Sequence, residues 1–278
     1  MMSDKPEFAT GELQRLQEIS ELANDKYKGD PNFMASLARG LEVLQAFKPQ
    51  YSEMSVSEIG QITGIPRAAV RRCLYTLKAL GFVHCPDGRH YRLLPRVLTL
   101  GHAYLSSSEL AKAAQNSLDY LSKVLNESCS VATLDGDSIL YIARASVKRI
   151  MTIDLGRGSR LPAYATSMGL VLLSALDNQQ LEEYLSRVTL EPLTGFTVTS
   201  AEALRAELEQ VRRQGYAIND QQLEIGLRSI AVPMYSRKGG VVAAMNVGAN
   251  AAQVSAAELR ERVLPQLQRA AMELALLL

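Results

Sequence analysis

The amino-acid sequence predicts an α+β protein in two parts, a small helical domain closed by a β-hairpin and a larger antiparallel sheet interleaved with helices. Three observations carry this. Apolar residues recur at three- and four-residue steps from Phe33 to Leu80, the spacing of helices that bury one face. Two short alternating runs, residues 82–85 and 89–93, flank Pro86-Asp87-Gly88, which is a hairpin signal. From Cys129 onward, alternating runs broken by turn residues trade places with helical stretches, a pattern of antiparallel hairpins and helices rather than a doubly wound sheet. With 278 residues, 47% of them hydrophobic, the chain holds enough apolar material for a core in each part.

Residues 1–32 open with a helical-looking stretch, Leu13, Leu16, Ile19 and Leu22, but end in the breakers Lys28-Gly29-Asp30-Pro31, and a mobile arm is expected. Residues 33–94 form the first domain. Phe33, Leu37, Leu41, Leu44 and Phe47 set one helical stripe, which Pro49 ends. Ser55, with Glu58 three residues on, has the capping-box spacing and starts a short helix carrying Val56, Ile59 and Ile62, which stops at Gly64. Pro66 suits the first turn of the next helix, whose Val70, Cys73, Leu74, Leu77 and Leu80 share a face. Ala68, Arg71, Arg72 and Tyr75 lie opposite. Two helices joined through Thr63-Gly64-Ile65, the second presenting small and cationic residues near its start, make a winged helix-turn-helix when the hairpin follows as a wing. Such a helix enters the major groove of double-stranded promoter DNA, and no acidic residue between Ile62 and Leu80 opposes the phosphates. Arg67, Ala68, Arg71, Arg72 and Tyr75, with Arg89 on the wing, are the expected DNA contacts.

Residues 95–127 read as two helices, broken near Ser106-Ser107-Ser108, that link the domains. Val97, Leu98, Leu100, Tyr104 and Leu105 are their expected self-association surface, in a homodimer or tetramer. Residues 128–278 form the second domain. Strands are expected over 130–134, 139–144, 151–154, 216–219, 228–235 and 241–248, with helices over 166–175, 179–187 and 201–214 and a last one from Ser255.

The net charge of +1 conceals an asymmetry: residues 1–33 sum to −3, residues 34–95 to +4 and residues 96–278 to zero. A positive segment beside a neutral one suits a chain of which one part meets a polyanion. No apolar run reaches the roughly 18–20 residues of a membrane span, so no membrane partner and a cytoplasmic location are expected. Cys73, Cys85 and Cys129 form no C-x-x-C pair, and His84 and His90 lack partners at ligand spacing, so neither disulfides nor a metal site is expected. Gly156-Arg157-Gly158 and Gly239-Gly240 fall outside every phosphate-loop frame, and no cofactor is expected. All three histidines precede the second domain, which also lacks H-E-x-x-H and G-x-S-x-G. That argues against an enzyme, although Asp135, Asp137, Asp220 and Glu224 offer carboxylates near turns.

Ile65-Pro66-Arg67-Ala68-Ala69-Val70-Arg71-Arg72, residues 98–107 (LTLGHAYLSS) and Gly226-Leu227-Arg228-Ser229-Ile230-Ala231-Val232-Pro233 together resemble the IclR family of bacterial transcription regulators, from about Phe33 to the C-terminus. The resemblance is strongest to the subgroup controlling protocatechuate, 4-hydroxybenzoate and β-ketoadipate catabolism. It implies a GAF-like effector domain, self-association, and a small aromatic or dicarboxylic acid that alters promoter binding or activation; RNA polymerase is a further candidate partner. Family pocket positions fall on Ile153, Leu161, Ser167, Met168, Asn219 and Ser229. Where many relatives have Leu-Pro-Leu-His-Ala and then Gly-Lys-Ala, this chain has Leu161-Pro162-Ala163-Tyr164-Ala165 and Gly169-Leu170-Val171.

The residues themselves support an anion site there, because the helix opening near Ser167 and Met168 offers unpaired N–H donors and a favourable dipole to a carboxylate without any side-chain cation. Two other functions compete, a winged helix used as a protein-interaction scaffold and a GAF-like enzyme with a DNA-binding appendage. The cationic face of the recognition helix weighs against the first, and the lack of catalytic motifs against the second.

Overall fold

The computed structural model describes residue 27 and residues 29–48, 51–147 and 155–275. The expected strand over 151–154, including Ile153, and most of the expected N-terminal arm lie outside the described residues. The chain packs as two units that divide between His102 and Ala103.

In the first unit, α1 (Ala35–Gln45), α2 (Val56–Thr63) and α3 (Arg67–Ala79) enclose a core that includes Val43, Ile59, Ile62, Val70 and Leu74. The capping box forms as predicted: Ser55 Oγ accepts from the Glu58 N–H, and the Glu58 carboxylate accepts from the Ser55 N–H at 2.7 Å. Gly64 ends α2 at φ 70°, a left-handed turn that a Cβ would penalise, and this aims the chain into α3. The wing strands β2 (Val83–His84) and β3 (His90–Leu93) pair antiparallel. A third strand, β1 (Glu53–Ser55), lies on the other side of β3. It is too short to show a period in the sequence. The stripe read on α1 is only half right: Val43 and Ala46 are buried, whereas Leu37 and Leu41 are 58% and 47% exposed. Apolar side chains occupy more than one side of this helix, and spacing alone does not say which side meets α2 and α3.

In the second unit, α5 (Glu109–Leu125) follows α4 (Leu98–Ser107), which crosses the division and buries none of its residues. Six antiparallel strands come next: β4 (Ser128–Asp135), β5 (Ser138–Ala145), β6 (Arg160–Pro162), β7 (Ala217–Asp220), β8 (Leu227–Tyr235) and β9 (Val241–Asn250), in the order β6-β5-β4-β9-β8-β7. One sheet face is covered by α5 and the C-terminal helix α10 (Leu264–Ala275), which α9 (Ala256–Glu258) and one turn of π-helix precede. Leu118, Leu121, Leu267 and Leu274 meet Cys129, Val131, Ile230 and Val247 there, so α5 is a layer of this unit as well as a connector. The other face receives α6 (Ser167–Ser174), with α7 (Asn178–Arg187) and α8 (Ala201–Gln214) outside it.

That second face changes character along the strands, because the period of two sends alternate residues to it. At one end it presents Ala132, Ala231 and Ala244, small enough for α6 to sit close. At the other end the same alternation presents Ser128, Ser130, Ser229 and Asn246, and there a cavity opens between sheet and helix start.

Candidate functional site

In the first unit, α3 turns Val70, Leu74 and Leu77 into the core and leaves Arg67, Ala68, Arg71, Arg72 and Tyr75 exposed. Arg67, Arg71 and Tyr75 follow one another at four-residue steps, with Arg72 alongside. None of the three arginines pairs with a carboxylate among the described residues. Tyr75 is 76% exposed, an aromatic ring on a helix face that nothing apolar covers. At the wing tip, Asp87 Oδ1 accepts from the Arg89 and His90 N–H groups at 2.9 and 2.7 Å, and Oδ2 meets His90 Nδ1 at 2.6 Å. The turn is thereby held with Arg89 outward. The backbone and ring donors of His90, with the Arg89 N–H, hold the Asp87 carboxyl well below the usual carboxylate range, and hydrogen bonding to Asp87 raises the His90 imidazole above its ordinary value.

The cavity of the second unit opens between the sheet and the α6 start and is lined by polar and apolar side chains together. Its floor is the serine-rich part of the sheet with Arg144 of β5 and Asn246 of β9; its roof is Leu155, Leu161, Ala165 and the α6 start at Thr166 and Ser167; Asn219, Leu223 and Glu224 line it from β7 and the loop beyond. Arg144 reaches this face through a β-bulge. Val131 pairs with Ala143 but Ala132 pairs with Tyr141, so Ile142 is an extra residue on β5, and both Ile142 and Ala143 turn to the opposite core. Tyr141 and Arg144, three residues apart, therefore line one cavity.

Arg144 donates to Ser130 Oγ at 3.0 Å, while its Nε is buried without a partner. Two acceptors lining the cavity, Asn246 Oδ1 and Glu224 Oε2, are likewise buried and unpartnered. Burial pushes the Tyr141 phenol up to about 12, against the lowering effect of Arg144, so its proton stays on at neutral pH. Ser167 and Ser229 share a hydrogen bond of 2.8 Å. Asn219 donates to the Ala165 carbonyl at 3.0 Å and accepts from the Gln222 N–H at 3.3 Å, tying the roof to the loop. Thr166 caps α6 through the Gly169 N–H.

One unit thus presents an exposed cationic helix beside a wing, and the other a polar-lined cavity. Two family models match the chain: the IclR helix-turn-helix domain over residues 36–85, and the C-terminal part of the bacterial transcriptional regulator IclR over residues 102–276. The chain belongs to the IclR family. This IclR-family chain is 53% identical to the Pca regulon regulatory protein of Pseudomonas putida over 249 residues, 89% of this chain and 85% of that one. It superposes on a transcriptional regulator from Rhodococcus sp. RHA1 at TM-score 0.74 and 42% identity, covering 87% of this chain and 97% of that one. An IclR homologue of Microbacterium hydrocarbonoxydans complexed with 4-hydroxybenzoate matches at TM-score 0.69 and 27% identity, over 86% and 97% of the two chains. The IclR-family chain is thus a DNA-binding transcriptional regulator and not an enzyme.

Within it, four of the six sequence-predicted effector residues, Leu161, Ser167, Asn219 and Ser229, line the one cavity. The Met168 side chain turns instead into the core beside Leu170 and Leu173, and Ile153 lies outside the described residues. Three of the four carboxylates weighed for catalysis are held by arginines, Asp135 by Arg160, Asp137 by Arg187 at 2.6 Å and Asp220 by Arg228 at 2.9 Å, which leaves Glu224 at the cavity. Sequence reasoning missed Arg144 and Asn246. The signal was there in faint form: each is a polar residue inside an apolar run, Ile142-Ala143-Arg144-Ala145 and Ala244-Met245-Asn246-Val247.

Proposed function

We propose that this regulator controls genes of aromatic-acid catabolism and answers a small organic acid held in the cavity of its second unit. The observation that carries the reading is the buried, unpartnered Nε of Arg144 in a cavity lined by serines, Asn219, Asn246 and apolar side chains. A guanidinium with a free buried donor is a receiver for a carboxylate, since charge-assisted hydrogen bonds are about twice as strong as neutral ones. At the other end of the cavity, where Ser167 bonds Ser229 at 2.8 Å, the α6 start adds N–H donors and a favourable dipole. Arg144 and Ser229 stand on strands three places apart in the sheet, about 14 Å by strand spacing, and the long Arg144 side chain takes up part of that distance, so a benzoate whose carboxylate meets the guanidinium points its far end toward Asn246, Ser229 and Glu224. Protocatechuate and 4-hydroxybenzoate bring a phenol donor to those acceptors. β-Ketoadipate brings a second carboxylate, which Glu224 opposes.

The DNA-binding surface is Arg67, Ala68, Arg71, Arg72 and Tyr75 of α3, with Arg89 of the wing. The active species is a dimer or tetramer joined in part through α4, where Leu98, Leu100 and Tyr104 are 73%, 53% and 50% exposed. Titration calorimetry of the full chain against the three acids tests the effector reading. One or more binds, and Arg144→Gln weakens it about 10- to 150-fold, the worth of a charged hydrogen bond. Undiminished binding in Arg144→Gln removes the carboxylate assignment, and silence toward all three acids removes the effector.

A further inference from the structure

Gln115 of α5 makes four hydrogen bonds, the full capacity of its amide. Its Nε2 donates to the Arg144 carbonyl at 3.1 Å and to Asp119 Oδ1 at 2.7 Å; its Oε1 accepts from the Arg144 N–H at 3.4 Å and from Arg157 at 2.8 Å. Two of the four fall on the backbone of one residue, and that residue is the cation of the cavity.

The reason lies in the sheet. β6 pairs with β5 over Ser138–Leu140 and residues 158–159 bond the Tyr141 backbone, but among the described residues no strand pairs with this edge of β5 at Arg144. At Arg144 the Gln115 amide bonds the backbone as a neighbouring strand would, offering one donor and one acceptor to the residue's C=O and N–H. Arg144 is thus held on its backbone by α5 from one side of the sheet and sends its guanidinium into the cavity on the other. α5 is also the first long helix after α4, through which the chain leaves the DNA-binding unit.

We propose that Gln115 is a positioning residue that couples occupancy of the Arg144 site to α5, and so carries the effector signal toward the DNA-binding unit. This rests on the reading that Arg144 receives the effector's carboxylate. A carboxylate that draws Arg144 toward the cavity displaces the β5 edge, and the 3.4 Å bond from the Arg144 N–H already stands near the limit of hydrogen bonding. A shift of a few tenths of an ångström either breaks that bond or moves α5 along with the strand. Either way the ligand alters the setting of α5, which is what differential coupling between two sites requires.

The test uses the full chain, Gln115→Met, the acid among the three that wild type binds most tightly, and the DNA upstream of the chain's own gene. Methionine keeps the length and helix propensity and removes the amide. Acid affinity should stay within about threefold and DNA affinity without acid should be unchanged. The acid-dependent change in DNA affinity or transcription, about 5- to 150-fold for a coupling of ordinary size, should fall below about twofold. A merely structural role would lower stability and leave that ratio intact. Wild type that binds acid beside a Gln115→Met protein that responds as fully overturns this inference alone; wild type silent to every acid takes the effector reading with it. Should Gln115→Met fail to fold, hydrogen exchange on wild type decides: acid must change protection at residues 111–119 of α5, and unchanged exchange there overturns the proposal.

Discussion

Gly169→Ala should destabilise the second unit and abolish acid binding together, although helix propensity predicts the reverse. Gly169 is the third residue of α6, in ordinary helical backbone, where alanine is favoured by about 0.8–1.0 kcal/mol. A Cβ at that position, however, would stand 1.9 Å from the Ala163 carbonyl oxygen and 2.5 Å from its carbon, against the 3.0 Å below which real Cβ contacts essentially never occur. The opposing atoms are backbone and cannot rotate away. Ala163 is anchored in turn, its N–H to the Asp137 carbonyl at 3.1 Å and its 3-10 turn to Asn219 through Ala165. Relief requires α6 and this turn to separate by more than 1 Å. Overpacking ordinarily costs about 1–3 kcal/mol, and with unyielding backbone the upper end applies. After subtracting the helix gain, a net loss of about 2 kcal/mol or more lowers the melting transition by about 4–8 °C. The same separation moves Ala165, Thr166 and Ser167, the cavity roof. Differential scanning calorimetry of the full chain, with and without the bound acid, reads both effects. A Gly169→Ala protein that melts at or above wild type and binds acid normally would refute the close-approach argument.

Arg71→Ala with Arg72→Ala should weaken operator binding by more than tenfold in moderate salt and flatten the salt dependence, since a base-reading arginine is worth about 1–3 kcal/mol at its own base pair and each lost phosphate contact reduces the salt slope by about one; normal affinity in a filter-binding or anisotropy titration would show that another face of α3 meets DNA. His90 should titrate above the ordinary imidazole value, followed by NMR, and return toward it in Asp87→Asn, whose amide oxygen still accepts from the turn's N–H groups. The raised imidazole contributes wing stability below the unfolded value and loses it as pH rises through the folded one, whereas the lowered Asp87 contributes above its unfolded value and loses it only in acid. The wing is therefore held best in the interval between the two, and an unshifted His90 midpoint would contradict the ion pair. Leu98→Glu with Tyr104→Glu should shift sedimentation toward the monomer and weaken binding to a repeated site, because paired recognition helices need a spacing near one groove turn of about 34 Å; an unchanged sedimentation coefficient would move the self-association surface off α4.

Periodicity and turn chemistry in the sequence determined the winged helix-turn-helix almost residue by residue: the Ser55–Glu58 box, the Gly64 turn, the cationic face of α3 and the wing about Asp87-Gly88 are local features, each set by neighbours within a few positions. The second unit's strands and helices were legible for the same reason, and the family resemblance had singled out Leu161, Ser167, Asn219 and Ser229, which line one cavity. Tertiary structure decided what depends on which strand lies beside which. The six-strand order set Arg144, Ser130, Asn246 and Ser229 on one floor although they are spread over a hundred residues of chain. The bulge at Ile142 broke the two-residue alternation, so strict spacing from Tyr141 would have sent Arg144 to the wrong face. The cavity expected to offer only helix N–H groups is thereby lined by a cation as well. Gln115 was equally unreadable, because its role is to complete the edge of a strand 29 residues away, and nothing in its own helix marks where that edge will fall. Short-range rules write the elements into the sequence; the buried donor of Arg144, its place in the cavity and the strand edge that Gln115 completes exist only once the sheet has formed.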